Sequence, residues 1–286
     1  MATPMTADQF LAALKAEGVH ILEYVTWKTY NRNGHGGWGP MNGVMIHHTG
    51  GMFPGDESVV WSGRRDLPGP LAHGYLAKTG VVTMTANGRA NHAGGGSPAV
   101  LAAVVAEAAT LPATHYHEGS SGAADGNAHF YGLEISNLGN GKDPYPAAQY
   151  DAAVRWAAAI CRFHGWSAKS VIGHKEWSDW KSDPSFSMNT FRASVSEALA
   201  LKPGAWHTAP GTIPTTPKGT TVTNADNEAL LARKVDDPTT SDNSQVSLLG
   251  MLWDTGMHAG RADAKADAIL AALAKVQASL DALNKR

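Results

Sequence analysis

Short apolar runs of strand length alternate with helical periods over residues 1–202, and this alternation limits the fold more than any other feature. The strand-like runs are Val19 to Trp27, Val44-Met45-Ile46, Phe130 to Ser136 and Val171-Ile172, with a hairpin in Tyr75 to Ala77, Gly80 and Val81 to Thr85. Between them lie helical stretches over Thr6 to Glu17, Pro98 to Ala109, Pro146 to His164 and Ser187 to Leu201. In the first of these Thr6 can cap the helix, Phe10, Leu11 and Leu14 share a face, and Gly18 ends it. In the third, Tyr150, Val154, Ala157 and Cys161 follow at 4-3-4 spacing. Such an order predicts an α/β domain with a central mixed β-sheet and helices on both faces.

The pattern stops at Pro203. Pro203, Pro210, Pro214 and Pro217 and many threonines fill the stretch to Val222, and polar sequence follows, so residues 203–245 read as an extended linker. Over 246–286 helical spacing returns. Ile269, Leu273, Val276, Leu280 and Leu283 repeat at 4-3-4-3, a coiled-coil seam that predicts a homo-oligomer formed through this C-terminal helix.

Composition removes several classes of function. Lys plus Arg number 23 against 25 Asp plus Glu, so no basic excess points to nucleic acid. No run of about 18 apolar residues occurs, so no membrane span is expected. Met1-Ala2-Thr3-Pro4 leads into a helical pattern rather than a basic and then apolar leader, and the chain is expected to be made in a cytoplasm. Cys161 is the single cysteine, which excludes an intrachain disulfide and a multi-cysteine zinc site. Thirteen histidines are the positive lead, because imidazole is the commonest metal ligand.

Two strand-like runs carry chemistry-bearing side chains. In Phe130 to Ser136, period two puts Tyr131, Leu133 and Ile135 on one face and Gly132, Glu134 and Ser136 on the other. Glu134 is either a solvated residue on an edge strand or a carboxylate kept inside for a reason. The run Val44-Met45-Ile46 ends in His47 and His48, which point to opposite faces, so one of them can serve a given site. His174 follows a second short apolar run, and Lys181-Ser182-Asp183-Pro184 comes soon after. Any one of these histidines alone is an ordinary core or surface residue. Two histidines and one carboxylate together leave a fourth zinc position open, the arrangement of catalytic rather than structural zinc. Asp179 competes with Asp183 for the carboxylate place.

At these residues the sequence resembles the type-2 N-acetylmuramoyl-L-alanine amidase family, which is related to the peptidoglycan recognition proteins. The matching segments come in order over roughly residues 20–200: Val44 to Thr49, His73 seven residues before Gly80, Asn91-His92-Ala93-Gly94, Gly132-Leu133-Glu134-Ile135, and Ile172-Gly173-His174 through Pro184. The resemblance implies that His47, His174 and Asp183 hold Zn2+, that Glu134 is the general base and that Lys181 stabilises the transition state. It decides between Asp179 and Asp183 in favour of the latter, and turns His48 away from the metal. His73, His92 and Asn137 are the candidates for substrate binding. Asn91 stands where the family commonly has an aromatic residue, and the polar loop from His115 to Asn127 is longer than the family pattern.

The implied activity is zinc-dependent hydrolysis of the amide between N-acetylmuramic acid and L-alanine in bacterial peptidoglycan. The alternatives are a non-catalytic peptidoglycan-binding module of the same fold and another zinc hydrolase; no His-Glu-x-x-His is present to favour a peptidase. The His-His-Thr-Gly-Gly segment and Val25-Thr26-Trp27 resemble the amidase modules of phage endolysins. That implies synthesis in the cytoplasm of an infected host and action on its cell wall.

Overall fold

The computed structural model of the protein describes residues 2–51 and 55–208. The linker expected past Thr208 and the C-terminal helix expected from the Ile269 to Leu283 seam fall outside the described residues. Helix α1 (Ala7–Ala16) opens on a complete capping box, in which the Thr6 hydroxyl accepts from the Gln9 N–H and the Gln9 side chain accepts from the Thr6 N–H. Phe10 and Leu14 enter the core, and Gly18 leaves the helix at φ +76°. Strand β1 (His20–Glu23) is shorter than the expected Val19 to Trp27 run. The Trp27 N–H bonds to the Tyr24 carbonyl and its indole donates to Glu23 Oε2, which folds the end of the run into a turn.

Five further strands complete the main sheet: β2 (Gly43–His48), β3 (Gly74–Leu76), β4 (Val81–Met84), β5 (Phe130–Ile135) and β6 (Val171–Gly173). Their order is β1-β4-β3-β5-β2-β6. The β3–β4 hairpin is antiparallel and every other pairing is parallel, so the sheet is mixed as expected. Strand β5 lies inside the sheet, with β3 on one side and β2 on the other. The edge-strand reading of Glu134 is therefore wrong: both ladders of its strand are filled, and its carboxylate stands on an interior strand.

The remaining helices are α2 (Gly55–Ser62), α3 (Pro98–Val105), α4 (Ala147–His164), α5 (His174–Trp177) and α6 (Met188–Ala200). One sheet face packs on α1, α4 and α6 through Val44, Ile46, Tyr131, Leu133 and Ile135, with Trp156, Tyr150 and Phe191 from the helices. Cys161 belongs to this apolar cluster, and burial pushes its thiol up out of the reactive range. The opposite face holds a smaller cluster of Met45, Phe130, Ile172, Trp177, Val100 and Val104. Period two along β2 and β5 thus divides one apolar face from one that mixes apolar and polar groups.

The packed body runs past Lys202, the expected domain end. Trp206 is 4% exposed and joins the main core, its carbonyl accepting from Arg155 Nη2 at 2.7 Å, and Thr208 bonds to Asp151. A large indole after the first proline of the stretch thus packs with the domain core, and the residues past Thr208 lie outside the described ones.

Candidate active site

The parallel register of β2 and β5 sets His47 directly beside Glu134. Both belong to the face that carries Met45 and Phe130. His48, one residue on, points the other way, where its Nδ1 lies 3.1 Å from the Tyr145 hydroxyl. His174 opens α5 where β6 ends next to β2. Glu176 fixes that turn, accepting from the Gly173 N–H at 2.9 Å and pairing with Arg192 of α6 at 2.8 Å. Lys175 draws the next segment in: its N–H donates to the Asp183 carbonyl, and its Nζ donates to the carbonyls of Pro184 and Phe186.

Three donor atoms converge as a result. His47 Nδ1 and His174 Nδ1 are 2.9 Å apart, and Asp183 Oδ2 is 3.2 Å from each. All three residues are buried, and these three atoms are the group among the described residues that could hold a metal ion. Two imidazole nitrogens and a carboxylate oxygen suit a borderline cation such as zinc. Burial, followed by the neighbouring His174, holds the His47 imidazole down to about 4, so it stands neutral at pH 7, as a ligand must. Asp179, the competing carboxylate, is engaged elsewhere, with His117 Nδ1 at 2.9 Å.

Glu134 lies against this cluster. Its Oε2 is shielded from solvent and makes no hydrogen bond. Burial first, then the charges of Asp183 and Asp56, lift its carboxyl well above the usual range, while Lys181 opposes them. Lys181 is exposed, on the segment just before Asp183.

The three residues expected to bind substrate are placed differently. His73 is fully buried; its Nε2 donates to the Gly88 carbonyl and its Nδ1 accepts from the Gly132 N–H, so both nitrogens serve the backbone. Asn137 is buried too, its amide donating to the Asp143 carbonyl and accepting from Gly139. His92 reaches the cluster itself, with Nδ1 3.0 Å from His47 Nε2. Sequence reasoning missed two residues. Asn127 Oδ1 accepts from the backbone N–H groups of His92, Ala93 and Gly94 at 2.9, 2.8 and 3.2 Å. Asp56 is a buried acid held by the hydroxyls of Thr49, Tyr75 and Ser136. Nothing in the spacing of either residue signals this. The His115 to Asn127 loop docks beside the Asp183 segment, where the His117 ring stacks on Trp180 at 3.7 Å and the Tyr116 carbonyl accepts from the Asp179 N–H.

A buried two-nitrogen, one-oxygen donor set next to an unpartnered carboxylate is the type of site that hydrolytic metalloenzymes use. The N-acetylmuramoyl-L-alanine amidase family matches residues 37–186, just over half of the chain, and the protein belongs to this family. Its activity is accordingly that of a peptidoglycan amidase. No curated protein sequence matches the chain. Among solved structures, it is similar to the N-acetylmuramoyl-L-alanine amidase LysC from Clostridium intestinale URNW, at 17% identity and a TM-score of 0.41, covering 60% of this chain and 95% of that one. The catalytic domain of XlyA is similar at 17% identity and a TM-score of 0.42, covering 62% and 99%. The Ph2119 endolysin from Thermus scotoductus MAT2119 bacteriophage Ph2119 is similar at 17% identity and a TM-score of 0.38, covering 63% and 99%. No helix among the described residues is long and apolar enough to cross a membrane.

Proposed function

We propose that the protein is a zinc-dependent amidase in which His47, His174 and Asp183 hold the ion, Glu134 is the general base and Lys181 supports the transition state. The observation that carries this reading is the convergence of the three donor atoms beside the unpartnered Glu134 carboxylate. Zinc bound there supplies Lewis-acid polarisation of the scissile carbonyl and acidifies a water. Glu134 accepts the proton of the attacking water. Its Oε2 has no competing donor to displace. The same proton passes to the L-alanine nitrogen as the carbon–nitrogen bond breaks, so the peptide leaves as a neutral amine. Lys181 meets the negative charge that develops on the lactyl carbonyl oxygen.

The finer assignment is an endolysin of a bacteriophage, made in the cytoplasm of the infected host and acting on its wall. The His-His-Thr-Gly-Gly and Val25-Thr26-Trp27 segments support it. In this reading residues 1–202 form the enzyme, 203–245 are a Pro/Thr-rich and polar linker, and 246–286 associate through the 4-3 seam. Self-association would place several catalytic domains on one insoluble substrate.

Product analysis on purified cell wall tests the reaction. The expected result is stem peptides with a new free N-terminal alanine and intact glycan strands, with activity lost on chelation. Cut glycans, or peptides opened within the stem, would overturn it.

A further inference from the structure

Both candidate histidine ligands have their far nitrogen occupied, and both partners come from one short segment. His174 Nε2 lies 3.2 Å from the Ala93 carbonyl, which can only accept. His174 therefore carries its proton on Nε2. His47 Nε2 lies 3.0 Å from His92 Nδ1, and His92 Nε2 in turn lies 3.0 Å from the Phe130 carbonyl. That carbonyl also only accepts, so the His92 proton is on Nε2 and its Nδ1 is an acceptor. The proton between the two rings must then belong to His47 Nε2. Both ligand histidines are left with a bare Nδ1, and these two atoms face each other at 2.9 Å beside Asp183 Oδ2. Three lone pairs brought together in a buried place repel unless a cation lies among them.

We propose that His92 and Ala93, clamped by Asn127, fix the tautomer of both ligands, and that His92 is a positioning residue for His47 rather than a substrate contact. This rests on the zinc reading above and deepens it. Two independent features of the fold serve the arrangement. Asn127 Oδ1 gathers the N–H groups of His92, Ala93 and Gly94, so one side chain sets the ring and the carbonyl together. Gly132 makes room for the ring: a Cβ there would come within 2.6 Å of His92 Nδ1 and 2.7 Å of its Cγ. On the interior strand β5 a glycine costs β-propensity, and its lack of a side chain lets the His92 ring lie over the strand toward His47. Second-sphere acceptors of this kind orient imidazole ligands and raise their basicity.

The test uses the full chain with His92→Leu, which removes the acceptor, and His92→Asn, whose Oδ1 can stand close to the lost Nδ1. Nitrogen-15 spectra of the imidazoles in metal-free protein read the tautomers, and competition with a chelator reads zinc affinity. In the wild type both His47 and His174 should carry the proton on Nε2. His92→Leu should change the His47 pattern and leave His174 alone, because the acceptor of His174 is a backbone carbonyl; general loosening of the fold would disturb both. Zinc affinity should fall by about 10- to 100-fold in His92→Leu and recover most of that loss in His92→Asn. A wild-type His47 protonated on Nδ1, or a His92→Leu protein that binds zinc as the wild type does, overturns the proposal. If His92→Leu does not fold, the wild-type spectrum and His92→Asn decide it. A wild type that shows the expected tautomers but binds no zinc contradicts the metal reading and leaves the hydrogen-bond relay standing.

Discussion

On one face of the sheet Val44, Ile46, Tyr131, Leu133 and Ile135 disappear into α1, α4 and α6; on the other, the same two strands present His47, Gly132 and Glu134. The first face is held by apolar burial and ring contacts, such as Phe10 against Trp156 at 5.1 Å and Tyr150 against Phe191 at 5.6 Å. The second is held by hydrogen bonds with defined donors and acceptors. Apolar packing is non-directional and tolerates exchange of shapes of similar volume. A polar cluster has one arrangement that satisfies it. Substitutions on the two faces should therefore fail in different ways, and the following experiments try to break that division.

The largest effect expected is on the polar face. Asp183→Ala should lose both zinc and activity, since a methyl group cannot ligate; metal analysis and a wall-lysis assay read the two losses. Glu134→Ala should keep its zinc and lose turnover by about two orders of magnitude or more. Full activity in Glu134→Ala would remove the assigned base. On the apolar face, Trp156→Ala should cost about 3–5 kcal/mol of stability, read by denaturant unfolding, while the surviving folded fraction cleaves at close to the normal rate. A rate loss per folded molecule as large as that of Glu134→Ala would show that the two faces are not separable.

A smaller effect concerns pH. The Glu134 carboxyl is raised in the folded protein, so between its unfolded value of about 4.3 and its folded value the native state binds more protons than the unfolded one. Stability of the metal-free protein should therefore fall as pH rises through that window, and Glu134→Gln should flatten the fall. Thermal unfolding across pH measures it, and a Glu134→Gln profile parallel to the wild type would contradict the assignment. The smallest effect on the domain itself is expected from truncation. A chain ended after Thr208 should be folded and monomeric, and the full chain oligomeric; equal monomeric masses in light scattering would remove the seam reading.

The two faces also differed in how much the sequence disclosed. Apolar periodicity reports directly on burial, so the strands around Val44 and Phe130 and the helix ending at His164 were legible; the period set His47 and His48 on opposite faces, and the family resemblance chose between them. Glu134 was legible only as a conflict, a carboxylate in an apolar run, and its interior position depends on pairing with β2 and β3, which local sequence does not encode. The clamp was hidden for a similar reason. Asn127 bonds to residues more than thirty positions away, and His92 and His73 look alike in sequence although one touches the cluster and the other serves the backbone. Beyond Lys202 a proline-rich stretch masked Trp206, because composition averages over a window and a single buried indole does not.

On the proposed reading His47, His174 and Asp183 form one metal site on the polar face. Anomalous diffraction at the zinc absorption edge, from crystals of the full chain grown with zinc, tests it most directly. A single strong peak is expected in contact with His47 Nδ1, His174 Nδ1 and Asp183 Oδ2, absent from Asp183→Ala crystals prepared alike. A peak on Asp179, a ligand bound through His47 Nε2, or no peak at this place in zinc-loaded crystals would contradict it.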